Sequence, residues 1–222
     1  MNSLQLNISP DGLKTRQELV TDALRQAILN GRFRPGDKLD QTDLANELSV
    51  SRSPVREALR TLAAEELVTH YPHRGAVVTE RSVDELKELL FIRSILEGAA
   101  ARRAAPHMED ERLKRLDQII CEAVATDDMQ RVLALNNLFH STIYEAVKQP
   151  QIVDLIQKLR NKVAPYNRVY LDLAGKKEQA WEAHRRIYTA CCERDGEAAE
   201  RETIHHLEQV FEGIVISLSM DE

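Results

Sequence analysis

Three histidines in the second half of the chain sit where side chains can share a metal ion: His140 in L-N-N-L-F-H-S-T-I-Y, His184 in W-E-A-H-R-R-I-Y and His206 in I-H-H-L-E-Q-V-F. Each stands among apolar residues at helical spacing, and Asn136, four residues before His140, projects from the same helix face. Three helices that turn imidazoles into one bundle core can hold a divalent ion, with the Asn136 amide oxygen as a fourth ligand and positions left open for water or a small molecule. Neutral imidazoles and an amide suit a divalent transition metal, zinc first, with nickel or manganese also fitting. The ion keeps its full double charge in such a site, which favours an anionic, carboxylate-bearing effector. Arg93 is placed as a second clamp on that carboxylate; the competing reading is an intrahelical ion pair with Glu97, four residues on. Tyr166 and Arg168, just after Pro165, are placed on the wall of the same pocket. His205 points about 100° away from His206 on a helix, and His70 and His107 receive no role.

A second constellation lies near the start of the chain, in S-R-S-P-V-R-E-A-L-R-T-L. Arg52, Arg56 and Arg60 follow one another at i, i+4 and i+8 and form one stripe of a helix, while Val55, Leu59 and Leu62 form another. Guanidinium forks bind guanine edges or phosphates bidentately. The helix start adds unpaired N–H groups that favour an anion, which places Ser51, Arg52 and Ser53 where a phosphate or base edge would lie. An arginine stripe by itself reads first as a solvated face. A short helix, a tight turn, this helix and then a hairpin with a basic tip at His73-Arg74-Gly75 make up a whole winged helix-turn-helix, and that context favours DNA.

The elements that must position these groups follow from periodicity and punctuation. Leu19, Ala23, Leu24, Ala27 and Ile28 recur at helical spacing from Thr15 to the stop at Asn30-Gly31. Phe33 to Leu39 reads as a turn, Asp40 or Thr42 caps a short second helix, and Ser51 or Ser53 caps a third, with Pro54 in its first turn, running through to Leu67. Two β-rich runs around Pro72-His73-Arg74-Gly75 form the wing. Ser82 and Glu85 form a capping box, and breaks at Pro106, Thr126-Asp127-Asp128, Gln149-Pro150, Ala174-Gly175 and Asp195-Gly196 divide the rest into about six helices. The expected fold is mainly α: residues 1–12 a flexible arm, 13–80 the winged helix, and 82–219 an all-α antiparallel bundle holding the metal and effector.

Composition agrees. A chain of 222 residues with 43% hydrophobic and only 5% aromatic content supplies two modest, mostly helical cores. Up to Arg81 basic and acidic side chains balance, so the net charge of −6 belongs to the remainder. A neutral first domain with clustered arginines still binds phosphate, because neutralisation depends on groups at the backbone. Three cysteines without C-x-x-C spacing suggest neither a disulfide framework nor a thiolate site. No apolar run approaches the ~18 residues that span a bilayer, and no secretory leader is visible, so the expected protein is cytoplasmic with no membrane partner.

The stretch from Ala27 through Arg34-Pro35-Gly36-Asp37-Lys38-Leu39 and Leu44 to Ser51-Arg52-Ser53-Pro54-Val55-Arg56-Glu57-Ala58-Leu59 resembles the GntR family of bacterial regulators. The resemblance implies that Arg52, Ser53 and Arg56 read or anchor an operator, with Thr42 and the wing at His73 and Arg74 assisting; relatives can carry a longer basic residue where Thr42 stands. From about Ser82 to Ser219 the chain resembles the FCD ligand-binding domain, on Arg93 with Glu97, Phe139-His140, the region of His184, and His206-Leu207. Members commonly place an aspartate at the position of Asn136, and the neutral amide here lowers the charge of the site. The family implies a homodimer that sets two recognition helices on an inverted repeat of double-stranded operator DNA. The expected function is a transcription regulator, a repressor, tuned by a small organic acid, and not an enzyme. The alternatives are a metal-dependent hydrolase, which lacks H-E-x-x-H, G-x-S-x-G and an evident carboxylate base, and a regulator for which the metal ion is itself the signal.

Overall fold

The computed structural model describes Leu4 and residues 14–220, and the chain divides into two compact units at Arg81 and Ser82. The arm expected over 1–12 lies outside the described residues apart from Leu4, which is buried and donates its N–H to Glu47 Oε1 at 2.8 Å.

The first unit opens with α1 (Arg16–Leu29), started by a reciprocal capping box between Thr15 and Glu18. Gly31, at φ 67°, ends it in a Schellman turn, with Arg32 N–H bonded back to the Ala27 carbonyl. Helix α2 (Gln41–Glu47) is capped by the Asp40 carboxylate, which accepts from the N–H groups of Thr42 and Asp43. Ser49 in the left-handed region (φ 55°) closes α2 in the same way and aims the chain into α3 (Arg52–Ala64). Val20, Leu24 and Ile28 of α1, Leu44 of α2 and Val55, Leu59 and Leu62 of α3 are buried together in the unit's core.

Helix α3 stops three residues earlier than the sequence pattern predicts. Leu67 N–H bonds to the Leu62 carbonyl and Glu66 N–H to Ala63, a Schellman turn whose left-handed position is filled by Glu66 (φ 59°) instead of glycine. Strands β1 (Val68–Tyr71) and β2 (Gly75–Val78) pair antiparallel, Val68 opposite Val78 and Tyr71 opposite Gly75. Gly75 begins β2, at φ 77°, and does not belong to the turn. The segment read as a plain turn adds backbone bonds to the other edge of β2, Leu39 N–H to Ala76 and Val78 N–H to Asp37.

The second unit contains α4 (Val83–Ala104), α5 (Asp110–Ala125), α6 (Met129–Tyr144), α7 (Pro150–Leu171), α8 (Lys176–Cys192) and α9 (Gly196–Met220). The Ser82–Glu85 capping box starts α4, and Pro150 stands at the first position of α7. Phe139, Ile143, Tyr144, Trp181 and Ile187 pack with Leu116, Ile119 and Ile120 of α5 in one apolar core. Glycine lets α9 approach two neighbours closely. A Cβ at Gly196 would lie 2.5 Å from the Arg102 carbonyl oxygen of α4, and Gly213 is covered directly by the Tyr170 ring of α7. Among the described residues no helix is long and apolar enough to cross a membrane.

Candidate functional site

Two places bring polar groups together, one on each unit. On the first, the face of α3 opposite Val55, Leu59 and Leu62 carries Ser51, Arg52, Ser53, Arg56 and Arg60, all exposed. Ser51 is the N-cap residue but its hydroxyl makes no cap bond, which leaves the first N–H groups of α3 open to an anion. Arg52 makes no ion pair among the described residues. Arg56 Nε and Arg60 Nη1 reach the Glu57 carboxylate at 3.2 Å and 3.1 Å. Thr42 is exposed in the first turn of α2, and His73, Arg74 and Gly75 are exposed at the hairpin tip.

On the second unit, α6, α8 and α9 bring His140, His184 and His206 together. All three are buried, and one ring nitrogen from each lies within 4.8 Å of the others. Burial holds all three imidazoles neutral: His140 and His184 fall well below the usual histidine range and His206 to about 3, with the nearby Arg160 charge pushing the same way. A neighbouring network fixes which nitrogen of His140 is free. Tyr144 donates its hydroxyl proton to Glu97 Oε2 at 2.7 Å, and its oxygen faces His140 Nδ1 at 3.3 Å. His140 Nδ1–H then donates to Tyr144, and its Nε2 lone pair points to His184 Nε2, 3.1 Å away. His184 Nδ1 lies near the Ala180 carbonyl but outside hydrogen-bonding geometry, and His206 Nδ1 is buried without a partner. Neutral, converging, partly unsatisfied imidazoles fit a transition metal.

Glu97 is the hub of this centre. It accepts from Arg93 Nε at 2.6 Å and Arg160 Nη1 at 2.9 Å as well as from Tyr144, and all four side chains are buried. Burial would push its carboxyl up, yet the two guanidiniums outweigh that and hold it at about 2. Two cations facing one carboxylate leave an excess positive charge beside three neutral histidines. A cavity of about 30 Å³ opens there, lined by Arg93, Asn136, His140, Arg160, Tyr170 and His206 among others. That space takes an ion or a water, so an organic molecule must displace part of the lining.

Both readings of Arg93 meet here, since it pairs with Glu97 and also lines the cavity. Tyr166 and Arg168, placed by the sequence on the pocket wall, are not among the residues that line this cavity. Tyr166 is packed in the core and Arg168 binds Asp172 at 2.7 Å; α7 lines the cavity with Arg160, Asn167 and Tyr170 instead. On a helix of 3.6 residues per turn those three positions share one face, about 100° from their sequence neighbours. Arg160 was legible only as a charge within the apolar stripe of Ile156, Leu159 and Val163. His205, His70 and His107 are exposed and lie outside the centre.

Residues 16–78 match the bacterial regulatory proteins of the gntR family, and residues 88–209 match the FCD domain. The HTH-type transcriptional repressor RspR of Escherichia coli K12 is 29% identical over 86% of this chain and 85% of its own length. A Paenarthrobacter nicotinovorans protein described as "Probable D-xylose utilization operon transcriptional repressor" is 30% identical over 85% of this chain and 84% of its own. The solved structure of E. coli McbR/YncC superposes with a TM-score of 0.81, at 23% identity, covering 95% of this chain and all of that one, which speaks for the fold.

Proposed function

The chain belongs to the GntR family of bacterial regulatory proteins and carries an FCD domain, and from that premise we propose that its operator binding is tuned by a small carboxylate-bearing metabolite held at the buried histidine centre. It is a DNA-binding transcriptional regulator and not an enzyme, as its family is. We read it as a cytoplasmic protein and as a repressor, the role by which the two relatives above are described. Arg52, Ser53 and Arg56 contact the operator, with Ser51, Arg60, Thr42 and the His73-Arg74-Gly75 tip assisting.

The observation that carries the effector is the uncompensated charge, Arg93 and Arg160 against the single carboxylate of Glu97, in a buried, histidine-lined cavity. A buried excess cation is costly unless an anion joins it. His140, His184 and His206 would hold a divalent metal, zinc first, with Asn136 as the additional ligand. Bound there, the ion supplies a Lewis-acidic charge for an anionic effector. A regulator that senses the metal alone leaves one of the two guanidiniums around Glu97 without an anion to balance it.

The proposed oligomer is a homodimer on an inverted repeat. Support comes from α4, which exposes Phe91, Ile92 and Ile95 and carries acidic residues in its first turn and basic ones in its last. Two such helices laid antiparallel bury the apolar strip and oppose unlike charges.

Two outcomes test the centre. Purified protein is expected to carry up to one divalent transition metal per chain by elemental analysis. Each single His→Ala lowers the occupancy, the triple variant abolishes it, and Asn136→Asp tightens binding by restoring a charge. Full metal content in the triple variant contradicts the site. Arg93→Ala is expected to keep metal and operator binding, since Arg160 still balances Glu97, but to lose the response to an organic acid that acts on the wild type. Arg93 lies on α4, which follows β2 after only residues 79–82, so a ligand that pulls on Arg93 acts on the helix joined most directly to the wing. Coupling of about 1–3 kcal/mol is usual for such switches, and operator DNA must change acid affinity by the same factor. An Arg93→Ala protein that still responds removes this residue from the mechanism.

A further inference from the structure

We propose that Glu57, the carboxylate gripped by both Arg56 and Arg60, is a built-in phosphate surrogate that suppresses binding to non-operator DNA and so sets the specificity of α3. The inference rests on the reading that α3 contacts DNA. Its geometry is direct. Glu57 Oε1 lies 3.2 Å from Arg56 Nε and 3.1 Å from Arg60 Nη1, and Oε2 is 3.3 Å from the same Nη1. Arg56 and Arg60 are 53% and 66% exposed, so the ion pairs are solvated and add little to folding stability. Their consequence lies in the bound state.

A carboxylate presents to a guanidinium the same paired oxygens as a phosphate. On arbitrary duplex, a backbone phosphate must displace Glu57 to take Arg56 or Arg60, and it brings a second negative charge beside the one it displaces. The gain from neutralising phosphates, which carries non-specific binding, is therefore blunted at two of the three arginines of the stripe. At the operator the pair stays in place, because Arg56 holds Glu57 through Nε and keeps its terminal Nη groups for a base edge, so the displacement falls on other sequences alone. Discrimination of this kind works by penalising the wrong partner. The Arg56 hydrogen bond holds the Glu57 carboxyl below the usual range, with slight burial opposing and the Arg60 charge assisting, so the group stays ionised wherever DNA binding is measured. Arg52, which makes no such pair, remains available for first encounter.

The test uses the full-length protein and two duplexes of equal length, the selected operator and a scrambled sequence, titrated by fluorescence anisotropy at several salt concentrations. Glu57→Gln is expected to bind the scrambled duplex about tenfold tighter near 0.1 M salt, with a log–log salt slope steeper by about one per chain. Operator affinity changes less, so the specificity ratio falls. Glu57→Asp retains most of the wild-type ratio, and both variants melt as the wild type does. A Glu57→Gln protein that leaves scrambled-duplex binding unchanged, or shifts both duplexes by one common factor, overturns the inference. Wild-type protein with no preference between the two duplexes overturns the assignment of α3 itself, and the role of Glu57 with it.

Discussion

Arg52→Ala and Arg56→Ala are each expected to remove specific operator binding while the winged helix stays folded. A guanidinium bidentate to a base edge is worth about 1–3 kcal/mol, and a symmetric dimer loses the contact at both half-sites. Both side chains are exposed and neither supports the core formed by Val55, Leu59 and Leu62, so thermal unfolding should hardly move. The two variants should still differ. Arg52 makes no ion pair among the described residues, whereas Glu57 already offsets part of the Arg56 charge, so Arg52→Ala costs more of the salt-dependent affinity. Electrophoretic mobility shifts against operator and competitor DNA measure both. Unchanged operator affinity in both variants removes α3 as the reading helix.

The second large effect concerns stability. Glu97→Ala is expected to destabilise the helical unit by about 3–5 kcal/mol, because it strands two buried guanidiniums without a counter-charge. The loss reaches the histidines too, since Tyr144 gives its proton to Glu97 and thereby orients His140. Urea unfolding of the metal-free protein reads the first effect and metal affinity the second. The same carboxylate gives the protein an acid limit. With its folded value depressed to about 2 from an ordinary 4.5, Glu97 contributes its full stability above about pH 4.5, and that contribution drains away as pH falls toward 2. In Glu97→Gln this part of the acid sensitivity disappears. A wild-type stability flat across that window, or a Glu97→Ala cost below about 1 kcal/mol, contradicts the hub.

What was legible in the sequence was whatever rests on local periodicity and punctuation. The Ser82–Glu85 box, Gly31, Pro54 and Pro150 mark helix boundaries because each acts through its own backbone. The end of α3 was hidden because Glu66 occupies a left-handed position where glycine is the usual signal. The histidines could be singled out one by one as inward-facing, and the fold brings their rings together. Arg160 could not, because a lone arginine on a helix carries no sign of the Glu97 it meets 63 residues away in the chain. Tyr166 and Arg168 were placed at the pocket by nearness to Pro165, where one step along a helix turns a side chain by about 100°. Glu57 stands in plain view within the motif, yet its grip on two arginines depends on rotamers that spacing does not report.

The most direct test of the account is selection of bound duplexes from a random pool by the purified, metal-loaded protein, run beside Arg52→Ala. The wild type is expected to enrich one inverted repeat, with half-sites one helical turn apart or a multiple of it, and Arg52→Ala to enrich none. A wild type that enriches no sequence, or an Arg52→Ala protein that enriches the same repeat equally well, contradicts it.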